Sequence, residues 1–163
     1  GMAFRAGETM TVTVTLRDEQ DNPVTGQAAA LAGEVVTVPG ARLTGSWTDR
    51  QDGTYVSAWT AETAGEGLKA TLRYAGWESA AESPAYIITA GDPAYAESSV
   101  ATDRTTYTAG EKMTVRVTLK DANGNGVSGK ASELAREGVV VVPNTEEQSE
   151  GVSWSEGDAG EYT

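Results

Sequence analysis

Two stretches of this chain alternate apolar and polar residues in nearly the same way. Met10, Val12, Val14 and Leu16 alternate with Thr11, Thr13 and Thr15, and Met113, Val115, Val117 and Leu119 repeat the scheme 103 positions later. A period of two with one apolar face predicts half-buried β-strands, and threonine suits the solvent side of a sheet. Leu68, Ala70, Leu72 and Tyr74 alternate with Lys69, Thr71 and Arg73 and predict a further strand, and residues 55–60 and 83–90 read as strands too. The core expected from these later strands is Leu68, Leu72, Tyr74, Tyr86, Ile87 and Ile88. Gly and Asn clusters break the chain at short intervals, as in an all-β sandwich. Helix is expected only as a turn or two at residues 28–31 and 131–136.

The alternation belongs to a longer repeat. Between Ala6 to Asp18 and Ala109 to Asp121, 10 of 13 residue pairs are identical. Each copy then has a polar turn, Asp21-Asn22-Pro23-Val24-Thr25-Gly26 in the first and Gly124-Asn125-Gly126-Val127-Ser128-Gly129 in the second. Trp47 and Tyr55 recur as Trp154 and Tyr162 at an offset of 107, so the second copy carries about four extra residues, placed near residues 145–150. A period near 100 residues is one small sandwich domain, well above the 20–50 residues of solenoid repeats. The expected organisation is residues 1–92 as one domain with little of its opening strand, and residues 93–163 as a second lacking its C-terminal strands. Gly91-Asp92-Pro93-Ala94 marks the boundary. A second copy so shortened is expected to expose an apolar face around Val115, Val117 and Leu119, with self-association as the consequence.

Asp158-Ala159-Gly160-Glu161-Tyr162 has the D-x-G-x-Y spacing of an immunoglobulin tyrosine corner, and Gln51-Asp52-Gly53-Thr54-Tyr55 is its counterpart with the Asp displaced by one. Such a Tyr bonds back across the corner between sheets. The fold class expected is therefore all-β, tandem immunoglobulin-like β-sandwiches, with Trp47, Tyr55 and Trp154 packed in cores. Trp77, in the predicted hairpin Ala75-Gly76-Trp77-Glu78, has no counterpart in the other copy and is the one tryptophan that is a candidate for exposure.

Charge and composition narrow the function. Asp and Glu number 24 against 12 Lys and Arg, for a net charge of −12, with no basic stripe. Nucleic acid and anionic membrane surfaces are thus disfavoured as partners. The chain has no Cys and no His. That excludes disulfides and removes the commonest general base and metal ligand. The longest apolar run, residues 139–142, is too short to span a bilayer. The first five residues lack a signal-peptide core, and Gly1 before Met2 suggests a cloning remnant.

Candidate chemistry is sparse. Asp121-x-Asn123-x-Asn125-Gly126 matches the first half of an EF-hand loop, but position twelve is Ser132, and Glu133 comes one residue late. The first copy reads Asp18-x-Gln20-x-Asn22-Pro23, without the Gly. A hairpin-type turn accounts for both and leaves room only for weak calcium binding. Gly151-Val152-Ser153-Trp154-Ser155 fails the nucleophile-elbow pattern at its last residue. Glu62 and Glu66 form a carboxylate pair that a glycosidase could use, but a solvated acidic face is the simpler reading. No catalytic residue, cofactor or metal ligand is assigned, and the chain is not expected to be an enzyme.

Several features taken in order resemble the bacterial immunoglobulin-like repeats of the intimin and invasin family of outer-membrane adhesins. These are the Ala-Gly-Glu opening, the Thr-Val-x-Val-Thr-Leu-Lys-Asp strand, Asp121-Ala122-Asn123-Gly124-Asn125, Trp47 with Asp52-Gly53-Thr54-Tyr55, and the exit Thr89-Ala90-Gly91. The resemblance covers nearly the whole chain. It implies a spacer in a surface adhesin acting in cell adhesion, anchored in the outer membrane through a region outside this chain. Its partners would then be neighbouring repeats and a host-cell or glycan receptor. The alternatives are an accessory module of a secreted carbohydrate-active enzyme, or a module with its own glycan or protein ligand at Trp77.

Overall fold

The structure, a computed structural model, describes residues 2–136, 138–145 and 154–163. It contains two compact units, residues 1–89 and 90–163.

In the first unit the strands are β1 (Met2–Arg5), β2 (Thr9–Thr15), β3 (Val36–Thr37), β4 (Ala41–Leu43), β5 (Thr48–Asp49), β6 (Thr54–Ala61), β7 (Gly65–Leu68), β8 (Thr71–Leu72), β9 (Ala81–Glu82) and β10 (Tyr86–Thr89), with one helical turn, α1 (Ala28–Leu31). One layer is the sheet β2-β6-β4, with β5 also on β6. Its spine is the antiparallel pair β2/β6, in register from Thr9↔Thr60 to Thr15↔Thr54. The other layer is made by β1-β10-β7, with β1 parallel to β10, and by β3-β8-β9.

The alternation read from the sequence sets the faces. Met10, Val14 and Leu16 point inward while the threonines of β2 are exposed. Strand β6 buries Tyr55, Ser57, Trp59 and Ala61 in strict alternation. These side chains meet Leu31, Val36, Val38, Trp47, Tyr86 and Ile88 in one core. Burial of each large apolar side chain stabilises by roughly 1.5–3 kcal/mol. Ser57 does not weaken this core, because its Oγ accepts the Trp59 indole N–H at 2.8 Å.

Three expectations change. The strand foreseen through Leu68, Ala70, Leu72 and Tyr74 keeps its alternation toward the core but is two strands, since β7 pairs with β10 and β8 with β3. Ser83 clasps the switch: its Oγ accepts the Ala70 N–H and its own N–H bonds the Ala70 carbonyl, both at 2.9 Å. The strand foreseen over residues 83–90 is shortened to β10, with β9 ending just before it, since Pro84 has no N–H for a ladder. Ile87 lies on the opposite face of β10 from the buried Tyr86 and Ile88 and is no part of the core.

The second unit has a 3₁₀ turn (Tyr95–Glu97), β11 (Ser99–Thr102), β12 (Val115–Thr118), the helical turn α2 (Ala131–Leu134) and β13 (Glu161–Tyr162). Its sheet is antiparallel, in the order β11-β12-β13. Val117, Leu134 and Tyr162 form its core, with Leu119, Ala131, Val140 and Trp154 packed against it. Val117 is thus buried by its own chain, whereas Val115 and Leu119 are half-buried. Within the valine run, Val139 and Val141 are exposed and Val140 packs inward. The extra residues expected near 145–150 lie outside the described residues except Thr145, whose Oγ1 donates to the Val142 carbonyl at 2.7 Å.

Candidate functional site

The repeated motifs resolve into three hydrogen-bonded devices, each built twice. The first explains the Ala-Gly-Glu opening. Glu8 Oε1 accepts the Arg5 N–H at 2.7 Å while the Glu8 N–H bonds the Arg5 carbonyl, and Glu111 does the same with Thr108. Gly7 and Gly110 sit between them at φ near +98° and +96°, the left-handed region that glycine enters at little cost. The Thr108 N–H, ahead of the Arg104 guanidinium, holds the Glu111 carboxyl below its ordinary range.

The second device is the tyrosine corner. Tyr55, fully buried, donates to the Val24 carbonyl at 2.7 Å and accepts the Gln27 N–H at 3.2 Å. Tyr162 repeats this with Val127 at 2.7 Å and Lys130 at 3.1 Å. A carboxylate that sequence reasoning missed completes each corner. Asp49 Oδ2 accepts the Gly26 N–H at 2.7 Å, and Glu156 Oε1 accepts the Gly129 N–H at 2.9 Å. The signal was available, because Asp49 and Glu156 stand at the same 107-residue offset as Trp47 and Trp154.

The third is the turn after the first long strand of each copy. Asp121 Oδ1 accepts the N–H groups of Asn123 and Asn125 at 2.9 and 2.8 Å, and Oδ2 accepts Asn125 Nδ2 at 3.0 Å. Asp18 matches it with Gln20 at 2.9 Å, Asn22 N–H at 2.8 Å and Asn22 Nδ2 at 3.1 Å. Such side-chain bonds to the following backbone are what Asp supplies in turns. The left-handed residue is Gly124 in one copy and Asp21 in the other, and Asp tolerates that conformation better than most. Asp121 also accepts the Gly91 N–H at 2.8 Å on Oδ2. Burial is the largest influence on its pKa and raises it, but the bonds from Asn125, Gly91 and Asn123 together outweigh burial and hold the carboxyl below the ordinary range.

Both Asp121 oxygens face N–H donors, an arrangement that suits a turn and offers a cation no free lone pairs. Ser132 is exposed on α2 and Glu133 pairs with Lys130 at 3.5 Å. Among the described residues, no group of three or more His, Cys, Asp or Glu is placed to hold a metal ion. Glu62 pairs with Arg42 at 3.4 Å, and Glu66 is exposed on β7. Gly151, Val152 and Ser153 lie outside the described residues.

Trp47 is buried as foreseen, and Trp154 is half-buried against the second core, its indole Nε1 without a hydrogen-bond partner among the described residues. Trp77 is 41% exposed, follows the Gly76 turn, and rests against Tyr74 with ring centroids 5.9 Å apart. It borders an open, shallow hollow formed by its own loop, lined by Glu78, Ser79, Ala80 and Ala81. Among the described residues, no helix is long and apolar enough to cross a membrane.

Comparison with known proteins agrees with the frame just described. The sequence profile of invasin domain 3 matches residues 5–91. The inverse autotransporter adhesin YeeJ of Escherichia coli (strain K12) is 31% identical over 130 residues, which is 77% of this chain and 6% of that protein. A solved structure of FdeC, described as a broadly conserved Escherichia coli adhesin, superposes with a TM-score of 0.59 at 31% identity, over 98% of this chain and 49% of that one. The chain thus spans a small part of the curated relative and about half of the solved one. With its matched profile and its twofold set of corner, turn and opening clamp, the chain belongs to the invasin domain 3 family, immunoglobulin-like repeats of the intimin and invasin type.

Proposed function

We propose that this chain is a structural and adhesive module, a spacer of tandem immunoglobulin-like repeats in a bacterial surface adhesin. The observation that carries the reading is the bond-for-bond recurrence of the tyrosine corner in two successive units. A unit copied with its hydrogen bonds intact is a building element of an array, and arrays of sandwiches present a distal surface away from the cell. We assign the two repeats by the sequence boundary, residues 1–92 and 93–163; the compact units divide three residues earlier, between Thr89 and Ala90. The relatives named above are adhesins, which supports a place at the bacterial surface, anchored in the outer membrane by a region outside this chain. The partners are then neighbouring repeats, with any host-cell or glycan receptor engaged elsewhere in the parent protein. The module performs no catalysis in this reading.

The test is display of the parent adhesin with these repeats deleted or doubled, alongside binding of the isolated chain to host cells. Altered reach with retained receptor affinity is the expected result. Saturable binding by the isolated chain would instead favour the second reading, a ligand site at Trp77, which rests on that side chain's exposure beside its loop hollow.

A further inference from the structure

We infer that Asp121 is a latch that fastens the lead-in segment of the second unit, residues 90–98, to the turn after β12. The two copies of the turn supply the argument. Both aspartates make the same three side-chain bonds, with lengths that agree within about 0.1 Å. Those three bonds suffice to build the turn, because Asp18 builds it with them alone among the described donors. Asp18 stays exposed, whereas Asp121 is 2% exposed. What Asp121 adds is a bond from a backbone N–H 30 residues upstream, Gly91 to Oδ2 at 2.8 Å.

The latch is the first of several bonds along one line. The Ala94 N–H bonds the Lys120 carbonyl at 2.8 Å. The Ser98 Oγ then faces the Lys120 backbone, 3.2 Å from its N–H and 3.3 Å from its carbonyl. The lead-in is therefore zipped to residues 120–121 at three points before β11 begins. Its anionic end is the strong one, since a bond from N–H to a carboxylate is roughly twice as strong as one between neutral groups. The latch itself does not depend on the adhesive reading, because it is tested by local protection alone.

Asp121→Asn separates the two roles of the side chain. The Asn Oδ1 can still accept the Asn123 and Asn125 N–H groups and so keep the turn, while the third bond, from Asn125 Nδ2, is lost as its counterpart from Asn22 Nδ2 is in Asp18→Asn. The Nδ2 of the introduced Asn is a donor and cannot accept from Gly91. Asp18→Asn in the same chain is the control, since it perturbs the same turn where no upstream segment is held. Amide hydrogen exchange followed by NMR on the full chain reads the result. We expect the Gly91 amide to exchange at least tenfold faster in Asp121→Asn than in the wild type or in Asp18→Asn, with Asn123 and Asn125 unchanged. A Gly91 amide equally protected in all three proteins would overturn the latch. Should Asp121→Asn not fold, the wild type decides: a Gly91 amide exchanging like an unstructured peptide refutes the inference, and one slowed tenfold or more supports it.

Discussion

The hydroxyl of Tyr55 donates to the carbonyl of Val24, 31 residues earlier in the chain, at 2.7 Å. The same oxygen accepts the Gln27 N–H, so one buried group satisfies a donor and an acceptor of the segment leading into α1. Tyr55→Phe keeps the ring and strands both partners. The expected loss is about 1 kcal/mol for the bond, rising toward about 3 kcal/mol if the partners stay dry. Urea unfolding of the first unit measures it. An unchanged midpoint would show that water replaces the hydroxyl.

Gly160 is closely packed in the second tyrosine corner. It sits at φ near +81°, and a Cβ there would lie 2.2 Å from the Leu119 carbonyl oxygen. Gly160→Ala combines a left-handed alanine, about 1–2 kcal/mol, with overpacking of about 1–3 kcal/mol. Gly110 has a similar φ of about +96° but open space around it, so Gly110→Ala carries only the first cost. Thermal unfolding should rank Gly160→Ala clearly below Gly110→Ala. The reverse order would mean that the corner relaxes freely.

The sequence made visible what repeats and what alternates. The long strands were legible because Met10, Val14 and Leu16 must face inward together, and the corner because Tyr55 and Tyr162 share a spacing to Gly. Pairing partners were not legible. Leu68 and Leu72 alternate perfectly, yet their backbones belong to different sheets, because alternation fixes a face and says nothing of the neighbour. Asp121 read as half of a calcium loop because Asp-x-Asn-x-Asn suits both a cation and an Asx turn, and only the direction of the N–H groups separates the two. The Gly91 bond spans 30 residues and leaves no local pattern.

Calcium should therefore find no tight site at this turn. A cation would have to displace the N–H donors from both Asp121 oxygens and expose buried Asn125. Calorimetric titration is expected to show nothing tighter than about micromolar, far short of the roughly nanomolar affinity of calcium-buffer sites. A stoichiometric, tighter site abolished by Asp121→Ala would reverse this assignment.

Two tryptophans should respond oppositely to truncation. Trp59 is 8% exposed, inside the first core, with its indole N–H held by Ser57. Trp59→Ala should cost about 3–5 kcal/mol. Trp77 is 41% exposed and contacts Tyr74 at its loop. Trp77→Ala should move stability by no more than about 0.5 kcal/mol, as for other surface changes. Equal losses in chemical denaturation would mean that the loop after β8 is part of the core.

Acid should destabilise the chain only at the low end of the scale. Five carboxyls, Asp18, Asp52, Asp103, Glu111 and Asp121, lie below their ordinary values of 3.8 for Asp and 4.5 for Glu. For Asp18 the main cause is the Asn22 N–H, for Asp52 the Thr54 hydroxyl, and for Asp103 the Tyr107 hydroxyl. A carboxyl with a depressed folded pKa contributes stability that is complete above its unfolded pKa and lost as pH falls through the folded one. The linkage therefore predicts no loss between pH 8 and about 5 and a decline that sets in below about 4. Charge acts the other way over the upper range, because protonation of a chain at −12 relieves its self-repulsion. The urea midpoint should accordingly hold or rise slightly from pH 8 to 5, then fall. Asp121→Asn, which has nothing to titrate at that position, should show a shallower fall than the wild type. A midpoint that drops steadily from pH 7 would place the sensitive groups elsewhere, since none of these five carboxyls gains a proton there.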